Sequence, residues 1–238
     1  MNIIITMAGQ GSRFTKVGYN CPKYMIEARG KTLFEWSMLS LLDYNKHINK
    51  YIFIVRKENN SKNFIFDQMK KFNIFDVEVI EIDYLTDGQA TTAKIGVDLC
   101  DDDDSILIYN IDTYIEPYNL LYSDLVGDGH IPCFNANGDH WSFVKVENGK
   151  VVDVVEKRRI SNNCSLGAYY FKSANVYKKI YNEFYNEKIN TEKYIAPMYK
   201  YMIEKGYEIT FSIIKSNVVH VLGTPTELNE FIDKYIGY

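Results

Sequence analysis

Directly after the apolar run Ile3-Ile4-Ile5, residues 7–23 read MAGQGSRFTKVGYNCPK. Ala8, Gly9, Gly11 and Ser12 are small enough for backbone N–H groups to approach phosphate oxygens with no side chain between. Arg13 can fork onto two such oxygens, and Lys23, after Pro22, adds a compact point charge. Three further stretches carry chemistry. ILIYNIDTYI at 106–115 puts Asp112 just past a strand, at the carboxyl edge where open α/β sheets bind ligands. LTDGQATTAKIG at 85–96 offers Gly88 and Gln89 at the opening of a helix, and VVEKRRISNNCSLGAYYF at 154–171 offers Glu156, Lys157 and Gly167.

Two familiar phosphate loops do not fit. The dinucleotide fingerprint needs a third glycine, and Phe14 stands there. Gly30-Lys31-Thr32 supplies the end of a P-loop, but Met25 occupies its first glycine position and no strand immediately precedes it.

A strand, a small-residue loop carrying an arginine, and then Pro-Lys resembles the nucleotidyltransferases that activate sugar phosphates and related metabolites. ARGKTLFEWSMLSLL at 28–42 resembles that family's Gly-Lys-Pro-Leu stretch and first helix, with Thr32 for proline. The resemblance continues through the 85–96 segment, Asp112, Glu156-Lys157 and Gly223-Thr224-Pro225. It implies a fold of the glycosyltransferase-A-like, nucleotide-diphospho-sugar type. It further implies Arg13, Lys23 and Asp112 as catalytic residues, with Asp112 holding Mg²⁺ on the α-phosphate. Ala8, Gly9, Gly11, Ser12, Arg13, Lys23, Gly88 and Gln89 would bind the nucleotide; Glu156, Lys157 and Gly167 would face the acceptor, assisted by Arg158 and Arg159.

The pattern breaks once. Many sugar-1-phosphate members carry an acidic residue two positions before the glycine of Gly-Thr-Pro, as a second metal ligand, and this chain has Val221 there, beside His220. A second ligand must come from elsewhere, or from substrate oxygens and water. His220 reads better as a satisfied histidine beside a strand.

The 140–171 block is similar to members encoded with capsule genes, above all those that transfer CMP from CTP to L-glutamine phosphate for capsular phosphoramidate. CTP and a phosphorylated small molecule are therefore the expected partners, and a homodimer is compatible with the resemblance. The alternative within the family is a sugar-1-phosphate nucleotidylyltransferase using UTP or dTTP. A glycosyltransferase would share the fold but carries Asp-x-Asp where this chain has Asn110-Ile111-Asp112.

These residues need elements to hold them. Runs rich in β-branched residues at 2–6, 51–55, 77–82 and 105–109 alternate with helical patterns at 32–44, 61–71 and 89–99, the signature of parallel strands with crossover helices. Two alternating runs flank Asn148-Gly149, which predicts a hairpin with a type I′ turn. A strand at 165–171, helices at 174–186 and 191–205, strands at 207–213 and 217–221 and a helix from 225 complete the reading. The expected architecture is a single α/β domain over 1–238, a three-layer Rossmann-like mixed, mostly parallel sheet flanked by helices with a small antiparallel subregion. Residues 1–130 form its nucleotide-binding half and 131–238 its acceptor-binding half.

The bulk numbers agree. The 238 residues are 46% hydrophobic and 24% charged, as in ordinary globular proteins. A formal net charge of -4 argues against broad nucleic-acid binding. No apolar run reaches a membrane span, and four scattered cysteines without a C-x-x-C pair suit reduced thiols, so a cytoplasmic protein is expected. The acidic run at 101–104 lacks the spaced ligands of a calcium loop and reads as a solvated turn.

Overall fold

The computed structural model describes residues 1–186 and 191–235. In chain order the strands are β1 (Asn2–Met7), β2 (Glu27–Ala28), β3 (Lys31–Thr32), β4 (Lys50–Arg56), β5 (Val77–Ile82), β6 (Ile106–Asn110) and β7 (Thr113–Ile115). There follow β8 (Gly129–Asn135), β9 (Ser142–Glu147), β10 (Lys150–Glu156), β11 (Asn163–Ser165), β12 (Ala168–Phe171), β13 (Ile209–Ile213) and β14 (Val219–Val221). The helices are α1 (Ser12–Thr15), α2 (Leu33–Leu39), α3 (Lys62–Lys71), α4 (Gln89–Val97), α5 (Ala174–Tyr185), α6 (Ala196–Glu204) and α7 (Pro225–Lys234).

Ten strands form one sheet in the order β10-β9-β11-β8-β12-β6-β1-β4-β5, with β13 paired to β8. β6, β1, β4 and β5 run parallel, and the chain passes by crossovers from β1 to β4 to β5 and then back across β1 to β6. β12 then runs antiparallel to β6 and begins the antiparallel half. Alternation along β1 shows why the first half takes three layers. Ile3, Ile5 and Met7 face one core with Phe34 and Met38 of α2 and Ile65 and Met69 of α3. Ile4 faces the other, with Ala90 and Ala93 of α4 and Tyr177 and Ile180 of α5. A strand buried on both faces has to be apolar throughout, which is what the isoleucine run supplies.

The predicted elements of the first half form within a few residues of their expected bounds, though the helix over 32–44 ends as α2 at Leu39 and continues as a separate 3-10 turn, Leu42–Tyr44. The hairpin forms as expected, with Asn148 and Gly149 both at positive φ (50° and 75°) as a type I′ turn demands.

Two readings are corrected and one strand was not foreseen. The strand expected over 165–171 is broken into β11 and β12 at Leu166-Gly167, where the chain passes from β9 and β8 to β6. The helix expected from 191 starts at Ala196: residues 191–195 form no regular element, and Lys193 is tied by its backbone to Asp87 and Ala90 (2.8 and 2.9 Å). Pro197 then suits the first helical turn, where its missing N–H costs nothing. Finally β8, unpredicted, lies in the middle of the antiparallel half despite Pro132, which sequence rules would send to an edge.

Candidate functional site

Asp112 is fixed by its neighbours' backbone. The Ile111 carbonyl accepts from Ser37 Oγ (2.7 Å), the Thr113 carbonyl from the buried Tyr109 hydroxyl (2.6 Å), and the Asp112 carbonyl from the Leu222 N–H (2.8 Å). Lys23 sits in a 3-10 turn started by Pro22, and its Nζ donates to Asp112 Oδ2 at 2.6 Å, both side chains about 25% exposed. Burial alone would push the Asp112 carboxyl up, but the Lys23 ammonium, with Arg13 farther off, holds it below the usual carboxylate range.

Two cavities meet at this aspartate. The first, about 620 Å³, is lined by the loop residues Ala8, Gly9, Gly11 and Ser12, by Lys23, and by Gly88 and Gln89 across from them. The second, about 340 Å³, is lined by Arg13, Trp141, Glu156, Gly167, Tyr194 and Glu227. Gln89, Asn110 and Asp112 line both. Every residue read as nucleotide-binding except Arg13 therefore lines one cleft. Arg13 lines the second cavity instead, and it makes no hydrogen bond or ion pair with any described residue.

Several side chains are engaged differently from expectation. The amide nitrogen of Gln89 donates to Asn110 Oδ1 and approaches Thr6 Oγ1 (3.4 Å), so the protein already uses the donor expected to read a base. Lys157 lies outside the second cavity: its Nζ donates to the Tyr194 hydroxyl and stands 3.9 Å from Glu156 Oε1. Burial would lower the Lys157 pKa, but Tyr194, Glu192 and Glu156 together raise it. Glu156 is pushed up by burial, against the opposing pull of Ser142 Oγ and Lys157. Arg159 is committed to structure, bonded to Asp139 (3.1 Å) and to the Ala136 and Gly138 carbonyls.

Gly167, at φ 77°, has a reason beyond closeness to an acceptor. A Cβ there would lie 2.3 Å from Asn110 Nδ2, so the glycine makes room for the amide that lines both cavities. His220 is satisfied, as expected, by Glu116 (3.2 Å) and by stacking on Tyr114. The acidic run at 101–104 is a structural turn: Asp104 accepts from Asn2, and its carbonyl from the Ala174 N–H that opens α5.

A family model for nucleotidyl transferases matches residues 2–217.

The chain belongs to the nucleotidyl transferase family.

Two solved nucleotidyltransferase structures show how the scaffold is shared. The nucleoside-diphosphate-sugar pyrophosphorylase from Vibrio cholerae RC9 is 34% identical, with a TM-score of 0.89 over 98% of this chain and 100% of that one. The inositol-1-phosphate CTP transferase from T. maritima is 14% identical, with a TM-score of 0.76 over 100% and 98% of the two chains, a likeness of fold. Comparison with curated proteins returns no match. Among the described residues no helix is long and apolar enough to cross a membrane.

Do this nucleotidyltransferase's residues suit the divalent cation its family resemblance implies? Among the described residues, no three His, Cys, Asp or Glu side chains gather as a cage. A hard cation bound with substrate phosphates needs only one or two carboxylates. Asp112 supplies one, and beside it lies a buried carboxylate oxygen with no hydrogen-bond partner, Glu227 Oε2. The donor chemistry fits. Sequence reading passed over Glu227, Asn110 and Tyr194; for Glu227 the available signal was a Thr-x-x-Glu helix start so close behind the missing acid at Val221.

Proposed function

We propose that this family member transfers CMP from CTP to a small phosphorylated acceptor, L-glutamine phosphate by sequence resemblance, and releases pyrophosphate. The observation that carries the transfer reaction is the meeting of two cavities at Asp112, one bounded by the glycine loop and Lys23, the other by Arg13 and Glu156. Such a site can hold a triphosphate and an acceptor with the reacting atoms adjacent. In this reading residues 1–130 mainly hold the donor, and residues 131–238 the acceptor.

An acceptor phosphate oxygen forms a bond to the α-phosphorus while the bond from that phosphorus to the bridging oxygen of the β-phosphate breaks, and the electron pair leaves with pyrophosphate. The attacking oxygen is already ionised, so no side chain has to remove a proton. What the protein must overcome is repulsion between two polyanions. The loop N–H groups and Lys23 take the triphosphate, and Arg13, unpaired in the second cavity, takes the acceptor phosphate. Mg²⁺, held by Asp112, supplies further neutralisation of the α-phosphate when bound. Lys157 reaches the acceptor by leaving Tyr194. The rate gain comes from positioning and fixed charge.

A second reading has its own support. The Vibrio relative is named a nucleoside-diphosphate-sugar pyrophosphorylase, which favours a sugar 1-phosphate acceptor with UTP or dTTP. Pyrophosphate release is the measurement that decides: CTP, UTP and dTTP are each offered with L-glutamine phosphate, phosphocholine and hexose 1-phosphates. Turnover with CTP and glutamine phosphate well above all other pairs is expected. Turnover confined to a hexose 1-phosphate would install the second reading, and silence with every pair would remove the transferase assignment.

A further inference from the structure

The acidic residue missing at position 221 leaves the cation one carboxylate short, and the structure offers a replacement from a different element. Glu227 is the third residue of α7, whose N-cap Thr224 accepts a hydrogen bond from the Glu227 N–H (3.2 Å). In a capping box the glutamate would turn back to the backbone N–H of the cap. Here it does not: Oε2 is buried and without a hydrogen-bond partner. An unsatisfied buried carboxylate oxygen costs free energy, so its retention points to a ligand.

Its direction is given by Gly223. A Cβ built on that glycine would lie 3.2 Å from Asp112 Oδ2 and 3.6 Å from Glu227 Oε2, so both carboxylates border the space that glycine leaves open. Gly223, Asp112 and Glu227 all line the second cavity, whereas Lys23 lines the first. The oxygen that borders this gap, Asp112 Oδ2, is also the one Lys23 holds at 2.6 Å, so a cation entering between the two carboxylates takes over or shares that contact from the Glu227 side.

From this geometry we infer that Glu227 is the second protein ligand of the divalent cation, paired with Asp112 across the gap over Gly223. Two carboxylates from different elements, completed by phosphate oxygens and water, form an oxygen set suited to Mg²⁺. Gly223 serves the site by lacking a Cβ. It is not at positive φ, so alanine there fills space without straining the backbone. The inference deepens the proposed function, since it assigns a ligand to the cation which that reaction uses.

The experiment titrates the nucleotide-free protein with Mn²⁺ and reads the free ion by electron paramagnetic resonance, which needs no turnover. Glu227→Gln is expected to weaken Mn²⁺ binding by about tenfold or more, in the range found when a metal site loses a supporting group. Gly223→Ala, which keeps both carboxylates, is expected to weaken it as well. Glu35→Gln, at the start of α2, is expected to leave it unchanged. With EDTA present, Glu227→Gln should melt at or above the wild-type temperature, because it removes a buried unpartnered charge. Unchanged Mn²⁺ affinity in both the Glu227 and Gly223 variants would overturn the assignment. So would a Glu227→Gln protein destabilised in EDTA, which would make the side chain structural. Failure of the nucleotide and acceptor panel with Mn²⁺ binding intact would instead discard the proposed reaction and leave the ligand pair standing.

Discussion

Two helices in this molecule begin with the same four-residue pattern and use it differently. At α2, Thr32-Leu33-Phe34-Glu35 forms a closed capping box: Thr32 Oγ1 accepts from the Glu35 N–H (3.2 Å), and Glu35 Oε2 accepts from the Thr32 N–H (2.8 Å). Lys71 of α3 completes it, donating to Glu35 Oε1 at 2.9 Å. At α7, Thr224-Pro225-Thr226-Glu227 makes only the first of these bonds. The side chain of its glutamate stays open, next to Asp112. The lesson is that a capping motif has two separable halves. The threonine half starts a helix; the glutamate half is surplus to helix formation and is available to a neighbouring site.

That contrast can be tested from both ends. The largest effect is expected where the site itself is struck: Lys23→Ala should lower turnover per folded molecule by about 10²-fold, the loss typical of a preorganised charge donor, and lower the melting temperature as well, because Asp112 loses its partner. Near-normal turnover in that folded variant would detach Asp112 and its surroundings from catalysis. At the first helix the pattern should invert. Glu35→Ala should cost about 1 kcal/mol of unfolding free energy, from a lost cap and ion pair, with turnover per folded molecule unchanged. Urea denaturation and the pyrophosphate assay on the same preparation read both quantities.

Thr32→Ala and Thr224→Ala should be alike, each costing about 1 kcal/mol or slightly less, because both threonines perform the capping half. A Thr224 variant that left stability untouched would break the parallel. The smallest effect is a pH dependence. Burial tends to raise the Glu35 carboxyl, but the Thr32 N–H and Lys71 outweigh it and hold its pKa below the usual 4.5. A carboxyl with a depressed native pKa contributes stability above its unfolded pKa and loses it as pH falls through the native value. The stability gap between wild type and Glu35→Gln should therefore be constant at neutral pH and close progressively below about pH 4.5. A gap that widened in acid would contradict the ion-pair account of this helix start.

Much of this architecture was legible in the sequence for identifiable reasons. β1, β4 and β6 are continuous apolar runs because they are covered on both faces, and Asn148-Gly149 fixes its own turn type. Lys23 and Asp112, which the structure brings into contact, could be singled out because their neighbours declare local geometry, a proline-started turn and a strand end. What was missed depended on contacts distant in sequence. The non-helical course of 191–195 goes with hydrogen bonds from Lys193 to the 87–90 segment, which no local pattern announces. β8 tolerates Pro132 only through the company of its neighbouring strands. Lys157 carries the right residue type, but its rotamer is set by Tyr194, 37 residues on. Glu227 was hidden by its own motif, since Thr-x-x-Glu normally explains itself.

One consequence of the Lys23–Asp112 contact concerns the order of events at an empty enzyme. Without substrate, the Lys23 ammonium rests on the Asp112 carboxylate, so each charge is balanced by the other. In the proposed reaction, an arriving triphosphate with its cation would swap this one internal pairing for two external ones. Because charge is exchanged and none is newly exposed, the same swap runs backwards when pyrophosphate departs, and the departing anion leaves behind a pair of groups that neutralise each other.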